Sequence, residues 1–366
     1  MKRILVLSIC LSLLVLAGCT KPSYTIGTAT EQQVLTDFGG KLVNPNYQDI
    51  QAQAYSLNQA VIAFNATPTD ANLAVAQAAW RNTRTAWESC EGYLFGPVED
   101  NNYDPSIDTW PLDKTSLDSL LSSSNPLGVS DINTLPFSLK GFHAIEYVIF
   151  GSGTAAQVAA NTRKMTYLVS LSQSLYDVTT ALRSSWDPAQ NNFADTLSAA
   201  GAAGNAYFRS RKAAFQAIVA SMADICDEVG TSKMQLPLGI NGQADSTQDE
   251  SMFSHNSTAD FTHNIAGISN AYFSTYGSSG GHSLHELVAA NNLQLDNQIT
   301  AAITDAVGSF STISPDYELA IYTQKTQIAA VQAKIAALKV LLDTPQPAGN
   351  FTPVSLAGWV SLNIKD

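Results

Sequence analysis

A glycine, a histidine and a glutamate stand at fixed spacing in Gly141-Phe142-His143-Ala144-Ile145-Glu146, a few residues after Pro136. On a helix, His143 and Glu146 share a face, so an imidazole and a carboxylate can reach one ion together. A histidine hydrogen-bonded to its own helix partner would use the same spacing. Glu88 and Glu91 repeat it inside Trp80-Arg81-Asn82-Thr83-Arg84-Thr85-Ala86-Trp87-Glu88-Ser89-Cys90-Glu91. Here Arg84 precedes Glu88 by four residues, and an exposed pair of that kind contributes only a few tenths of a kcal/mol. Between the two helices, Asp104-Pro105-Ser106-Ile107-Asp108-Thr109-Trp110-Pro111-Leu112-Asp113 adds acids on a proline-stiffened segment.

If Glu88, Glu91, Asp108 and Glu146 gather around His143, their mutual repulsion raises their pKa values. Unpaired buried charge also costs several kcal/mol per ion. A divalent or trivalent cation removes that penalty. Oxygen donors with one imidazole suit iron, zinc or manganese and not a soft thiolate site. Calcium takes histidine only rarely.

The elements that must position these groups are helices. Leu168, Leu171, Leu175, Val178 and Leu182 recur at steps of three and four, the mark of one apolar helix stripe. Ile321, Ile328, Val331, Ile335, Leu338 and Leu342 form a second stripe, stopped by Pro345 and Pro347. Similar segments run at 46–65, 70–95, 204–228, 258–276 and 292–312. Long helices with short polar joints predict an all-α protein of two packed helical bundles. Neither βαβ alternation nor a glycine-rich phosphate loop is seen in the sequence. Residues 96–136, rich in Asp, Asn, Ser and Pro, are expected to form a long irregular loop in the N-terminal half, with a helical turn near 114–122. The Gly/Pro/Asp-rich stretch 235–249 marks the expected boundary between an N-terminal bundle (31–240) and a C-terminal one (241–366).

The chain opens with Lys2 and Arg3, an apolar run at 4–16, and Leu16-Ala17-Gly18-Cys19. This is the pattern of a secretory signal, and its last four residues resemble the bacterial lipobox. The run is shorter than the roughly 20 apolar residues needed to span a bilayer. The expectation is a signal peptide over 1–18, lipidation of Cys19, and a polar tether over 19–30. The formal charge of −12 becomes −14 once Lys2 and Arg3 leave. Such an acidic surface excludes nucleic acid as a partner and electrostatic attachment to anionic lipid. Cys90 and Cys226 are too few for a disulfide scaffold; they read as apolar filler, with pairing as the alternative.

The signature Gly141-Phe142-His143-Ala144-Ile145-Glu146 matches the GxHxxE motif of the imelysin-like proteins (peptidase family M75), which this chain resembles. The resemblance extends from Trp87 through Phe95-Gly96-Pro97 to Asp108-Thr109-Trp110-Pro111, and to Glu250-Ser251-Met252-Phe253-Ser254-His255-Asn256-Ser257 with Asp260-Phe261. It implies two helical bundles, an exported location and a link to uptake of iron or another metal. Related periplasmic iron-transport proteins carry an acidic pair, a DP-x-ID loop and HxxE. Their counterparts here are Glu88 and Glu91, Asp104 to Asp108, and His143 and Glu146. No copper-binding-type β domain precedes the bundle.

The combined expectation is an envelope lipoprotein of a Gram-negative bacterium, anchored at Cys19, in the outer membrane, facing periplasm or cell surface. It would bind a metal through His143, Glu146, Glu88, Glu91 and Asp108 and work with envelope transport components. The enzymatic alternative is a metallopeptidase of the imelysin type. The usual zincin signature HExxH is absent from the sequence, although Glu88 or Glu91 could serve as base. A non-catalytic peptide- or glycan-binding module is the third reading. His282 and His285 sit at i,i+3 beside a glycine-rich turn and read as a helix cap before a second metal site. His255 and His263 read as surface or inter-bundle residues, and Trp80, Trp87 and Trp110 as packing.

Overall fold

The computed structural model describes residues 30–151 and 153–365. The expected signal peptide, Cys19 and all of the expected tether but Thr30 lie outside the described residues.

The fold is all-α, apart from a two-stranded antiparallel ribbon in which Thr275 faces Gly280 and Tyr276 faces Ser279. In the N-terminal half the Thr162–Trp186 helix packs on Asn44–Ala66, which packs in turn on Asp70–Glu88. Each begins with a residue suited to that position. Pro45 occupies the first turn of Asn44–Ala66. Thr69 and Asn161 accept hydrogen bonds from the free amides of the other two helices. Leu168, Leu171, Leu175 and Leu182 are buried as their spacing requires, and Val178 is half-buried.

In the C-terminal half, Lys325–Asp343 packs against Arg211–Asp227 and Leu293–Ser309. Ile328, Val331, Ile335, Leu338 and Leu342 face the core. Ile321 is also buried, but it belongs to a separate short helix, Tyr317–Thr323, because Gln324 leaves the helical conformation. Buried apolar side chains form one connected core from Val34 to Ile364.

The expected long irregular loop is largely helical. Pro97–Asp100, Tyr103–Asp108, Lys114–Ser122 and Val129–Asn133 are short helices. Their Pro, Asp and Gly residues act as starts and caps instead of breakers: Pro97 opens one helix, and Asp113 accepts from the Ser116 amide. Capping and turn formation draw on the same residue types, so composition alone reads as loop.

Two glycine contacts bring the elements close enough to build a site. Gly92 and Gly267 touch backbone to backbone, and a Cβ on Gly92 would lie 2.7 Å from the Gly267 carbonyl carbon. This seats the Ser257–Phe273 helix on the end of Asp70–Glu88. Gly141, at φ +78°, leaves no room for a Cβ, which would fall 2.3 Å from the Ile107 carbonyl oxygen. The glycine of the GxHxxE motif therefore sets the histidine helix, Phe142–Phe150, against the residue preceding Asp108. Gly141→Ala is expected to lower stability by about 1–3 kcal/mol from backbone strain alone, measured by urea unfolding; an unchanged midpoint would contradict this packing.

Candidate metal centre

The Asp70–Glu88 helix delivers Arg84, Trp87 and Glu88, and a 3₁₀ turn, Glu91–Tyr93, delivers Glu91. Asp108 ends the short Tyr103–Asp108 helix, while His143 and Glu146 sit at the start of Phe142–Phe150. His143 Nε2 lies 3.1 Å from Asp108 Oδ1 and 3.9 Å from Glu250 Oε1. On the other edge of the ring, Nδ1 lies 3.2 Å from Glu146 Oε2. The second oxygen of Glu146 accepts from the Phe253 amide at 3.1 Å, the Ser254 amide at 2.9 Å and the Ser254 hydroxyl at 2.8 Å. Glu146 thus stands behind the imidazole and orients it, leaving Nε2 turned toward Asp108 and Glu250.

Glu88 and Glu91 lie on the far side of Asp108. Arg84 and Glu88 are both fully buried, so the reading of this pair as a weak exposed one is corrected. The Ser257–Phe273 helix and the turn before it cover them and contribute more acids. The Arg84 guanidinium pairs with Glu88 and Asp108, and reaches Glu250 and Asp260 at 3.3 Å each. It also lies over the Phe142 ring, 5.1 Å from its centre. Lys233 Nζ, equally buried, lies 3.0 Å from Glu91 and 3.1 Å from Glu250. It arrives on a wide π turn, Glu228–Lys233, that extends the Arg211–Asp227 helix. Asn264 donates to both Glu88 and Glu91, and the Trp87 indole donates to Asp108 at 2.8 Å and Glu91 at 3.1 Å. Trp87, read from sequence as packing, is also a polar partner of the cluster.

Glu88, Glu91, Asp108, Glu146, Glu250 and Asp260 are all buried, while Arg84 and Lys233 are the permanent cations among them. Burial pushes Glu88 and Glu91 well above the ordinary carboxylate range, against the pull of Arg84 and Lys233. Burial would also raise Asp108, but Arg84 and the bond to His143 hold it well below its usual value. Burial alone would depress His143; its bonds to Asp108 and Glu146 instead raise it to about 10. Partial burial and the nearby Asp108 push the half-buried Asp104 up to about 7.

Atoms of Asp108, His143 and Glu250 lie within 4.8 Å of one another, and so do atoms of Glu88, Glu91 and Asp108. The donors distinguish the two groups. Arg84, Lys233, Asn264 and Trp87 hold the second, and all of these but Asn264 also reach Asp108 or Glu250 Oε1 in the first. In the first, His143 Nε2 faces Asp108 alone at hydrogen-bond distance, and Glu250 Oε2 is buried without a hydrogen-bond partner. A cavity of about 330 Å³, walled by Trp110, Pro111, Leu112, Met252 and Phe253, opens onto His143, Glu146 and Glu250. The first group therefore fits a cation: it combines an unpartnered carboxylate oxygen, an imidazole nitrogen that an ion can take from its proton, negative charge and access.

Of the residues picked out by spacing, Asp108 and His143 share this point, Glu146 backs it, and Glu88 and Glu91 adjoin it through Asp108. Glu250, Asp260, Asn264 and Lys233 were not picked out as ligating or pairing residues. Glu250 stands 166 residues after Arg84, and no local spacing ties the two. His282 and His285 form separate pairs, with Glu286 at 2.9 Å and with Asp296 at 2.6 Å. Cys90 and Cys226 are buried free thiols.

The family model described as Imelysin (Peptidase_M75) matches residues 43–344. The chain belongs to the imelysin family. It is 30% identical over 315 residues to iron-regulated protein A of Synechococcus elongatus, covering 82% of this chain and 83% of that one. A crystal structure from Parabacteroides distasonis, designated an iron-regulated protein A precursor, superimposes with a TM-score of 0.74 at 25% identity, over 84% of this chain and 92% of its own. An imelysin-like protein from Psychrobacter arcticum shares the fold at TM-score 0.69 and 16% identity, with the same coverage.

Removing Arg84 would strand its buried acids. Arg84→Leu is expected to destabilise the metal-free protein by about 3–5 kcal/mol, read from urea unfolding, where an exposed pair would cost a few tenths.

Proposed function

We propose that this imelysin-family protein binds a transition-metal ion, iron first, as cargo at Asp108, His143 and Glu250, and serves metal uptake. The observation that carries the reading is Glu250 Oε2, buried without a hydrogen-bond partner beside the His143–Asp108 pair at the end of an accessible cavity. The names of two relatives, both iron-regulated, support iron. The lipobox-like start supports an envelope protein anchored by lipid at Cys19, in the outer membrane, handing its cargo to transport components.

This chain's residues divide the work. Glu146 takes the hydrogen bond of Nδ1–H and leaves Nε2 as the ligand nitrogen, an arrangement common behind metal-bound histidine. Asp108 and Glu250 supply oxygen, and Arg84 and Lys233 limit the negative charge the ion must offset. A metallopeptidase would need a free carboxylate base beside an open coordination position. Glu88 and Glu91, the candidates for that base, are held by Arg84, Asn264, Lys233 and Trp87. That favours holding an ion over hydrolysis.

Protein purified without chelator is expected to carry about one transition-metal ion per chain, measured by elemental analysis. Anaerobic calorimetry with Fe²⁺ should show binding that His143→Ala with Glu250→Ala abolishes. Unchanged binding in that double variant would remove the assignment, and chelator-sensitive cleavage of an unfolded protein would favour the peptidase. Glu146→Gln should weaken binding by about 10–100-fold without changing the stoichiometry.

Proton competition gives a further expectation. His143 titrates near 10, so at neutral pH the ion must displace its proton. Apparent affinity should rise about tenfold per pH unit from 6 toward 9, with about one proton released per ion. Calorimetry in buffers of differing ionisation heat measures this, and a flat pH profile would exclude His143 as a ligand.

A further inference from the structure

A second group of ligand-type side chains lies at the surface. His255 Nδ1 is hydrogen-bonded to Glu318 Oε1, and Asp316 joins them, with one ligand atom of each within 4.8 Å of the others. We propose that His255, Asp316 and Glu318 form a second, outer site for a divalent transition-metal ion.

Glu318 carries the argument. It is only 7% exposed, and its Oε2 is buried with no hydrogen-bond partner, a costly state for a carboxylate oxygen. The inner acids have Arg84 and Lys233; among the described residues no lysine or arginine pairs with Asp316 or Glu318. Asp316 stands directly before the Tyr317–Thr323 helix, yet its side chain makes no capping bond there, so its oxygens are uncommitted. The His255 side chain is 57% exposed, which leaves an ion a way in. One imidazole with two carboxylates suits manganese, iron, cobalt or zinc better than calcium or magnesium. Three protein ligands leave further positions to water.

The outer group is also close to the inner one along the chain. Ser254, next to His255, donates both its amide and its hydroxyl to Glu146, which orients His143. An ion on His255 would therefore sit one residue from the clamp behind the inner imidazole. The outer site does not depend on the inner one being a metal site.

The test is a calorimetric and visible-absorption titration of the full mature chain with Co²⁺. If both sites act, the wild type takes up about two ions, and His255→Ala removes the weaker while leaving the tighter unchanged. Glu318→Gln should weaken the same event by about tenfold or more. With the inner site disabled by His143→Ala, one Co²⁺ should remain, and adding His255→Ala should remove it. A wild type that takes a single ion, lost on His255→Ala, would support the outer site and overturn the inner reading. An isotherm unchanged by His255→Ala in the wild-type background overturns the outer site and reduces the group to a plain His–Glu pair. His255 is exposed enough for its alanine variant to fold.

Discussion

Glu88, Glu91, Asp108, Glu146, Glu250 and Asp260 are enclosed together with Arg84 and Lys233 among them, and the rest of the site is arranged around that imbalance. Withdrawing so many acids from water costs several kcal/mol for each ion that stays charged. Arginine is suited to the central position because its planar fork offers five donors in fixed directions. Arg84 uses them to reach acids from three parts of the chain: Glu88 on its own helix, Asp108 on the short helical segment, and Glu250 and Asp260 beyond it. Such an arrangement needs backbones closer than ordinary side chains permit, and the contacts at Gly92, Gly267 and Gly141 supply that closeness.

Asp108 divides the cluster. On one side, Glu88 and Glu91 are held by Arg84, Lys233, Asn264 and Trp87 away from the cavity. On the other, His143 and Glu250 face each other beside a cavity, with Glu250 Oε2 unpartnered. A satisfied network specifies a structure, while an unsatisfied carboxylate oxygen beside an imidazole at an accessible point is a place for a ligand. Glu146 belongs to neither side. Its three hydrogen bonds from Phe253 and Ser254 hold it as the backing of the imidazole.

Much of this was legible before any coordinates. Helical stripes such as Leu168 to Leu182 and Ile328 to Leu342 report a local periodicity that burial enforces, so their inward faces could be read directly. The spacing His143–Glu146 likewise reports a contact made within one helix turn. Misreadings arose where one residue type serves two purposes. Pro97, Asp113 and Gly128 punctuate loops, yet here they begin and cap short helices. Arg84 four residues before Glu88 looks the same on an exposed face as in a buried core, and only the helix laid over it separates a few tenths of a kcal/mol from several.

The sequence alone was sufficient for the all-α class, for the family signature, and for Asp108 and His143 as parts of one acidic site, because each rests on residues close together in the chain or on a recognisable motif. Tertiary structure decided which acids are spent on Arg84 and Lys233 and which remain free for an ion. It also decided that Glu250 completes the open side. Those outcomes depend on burial and on contacts between distant segments, and a side chain carries no local record of either.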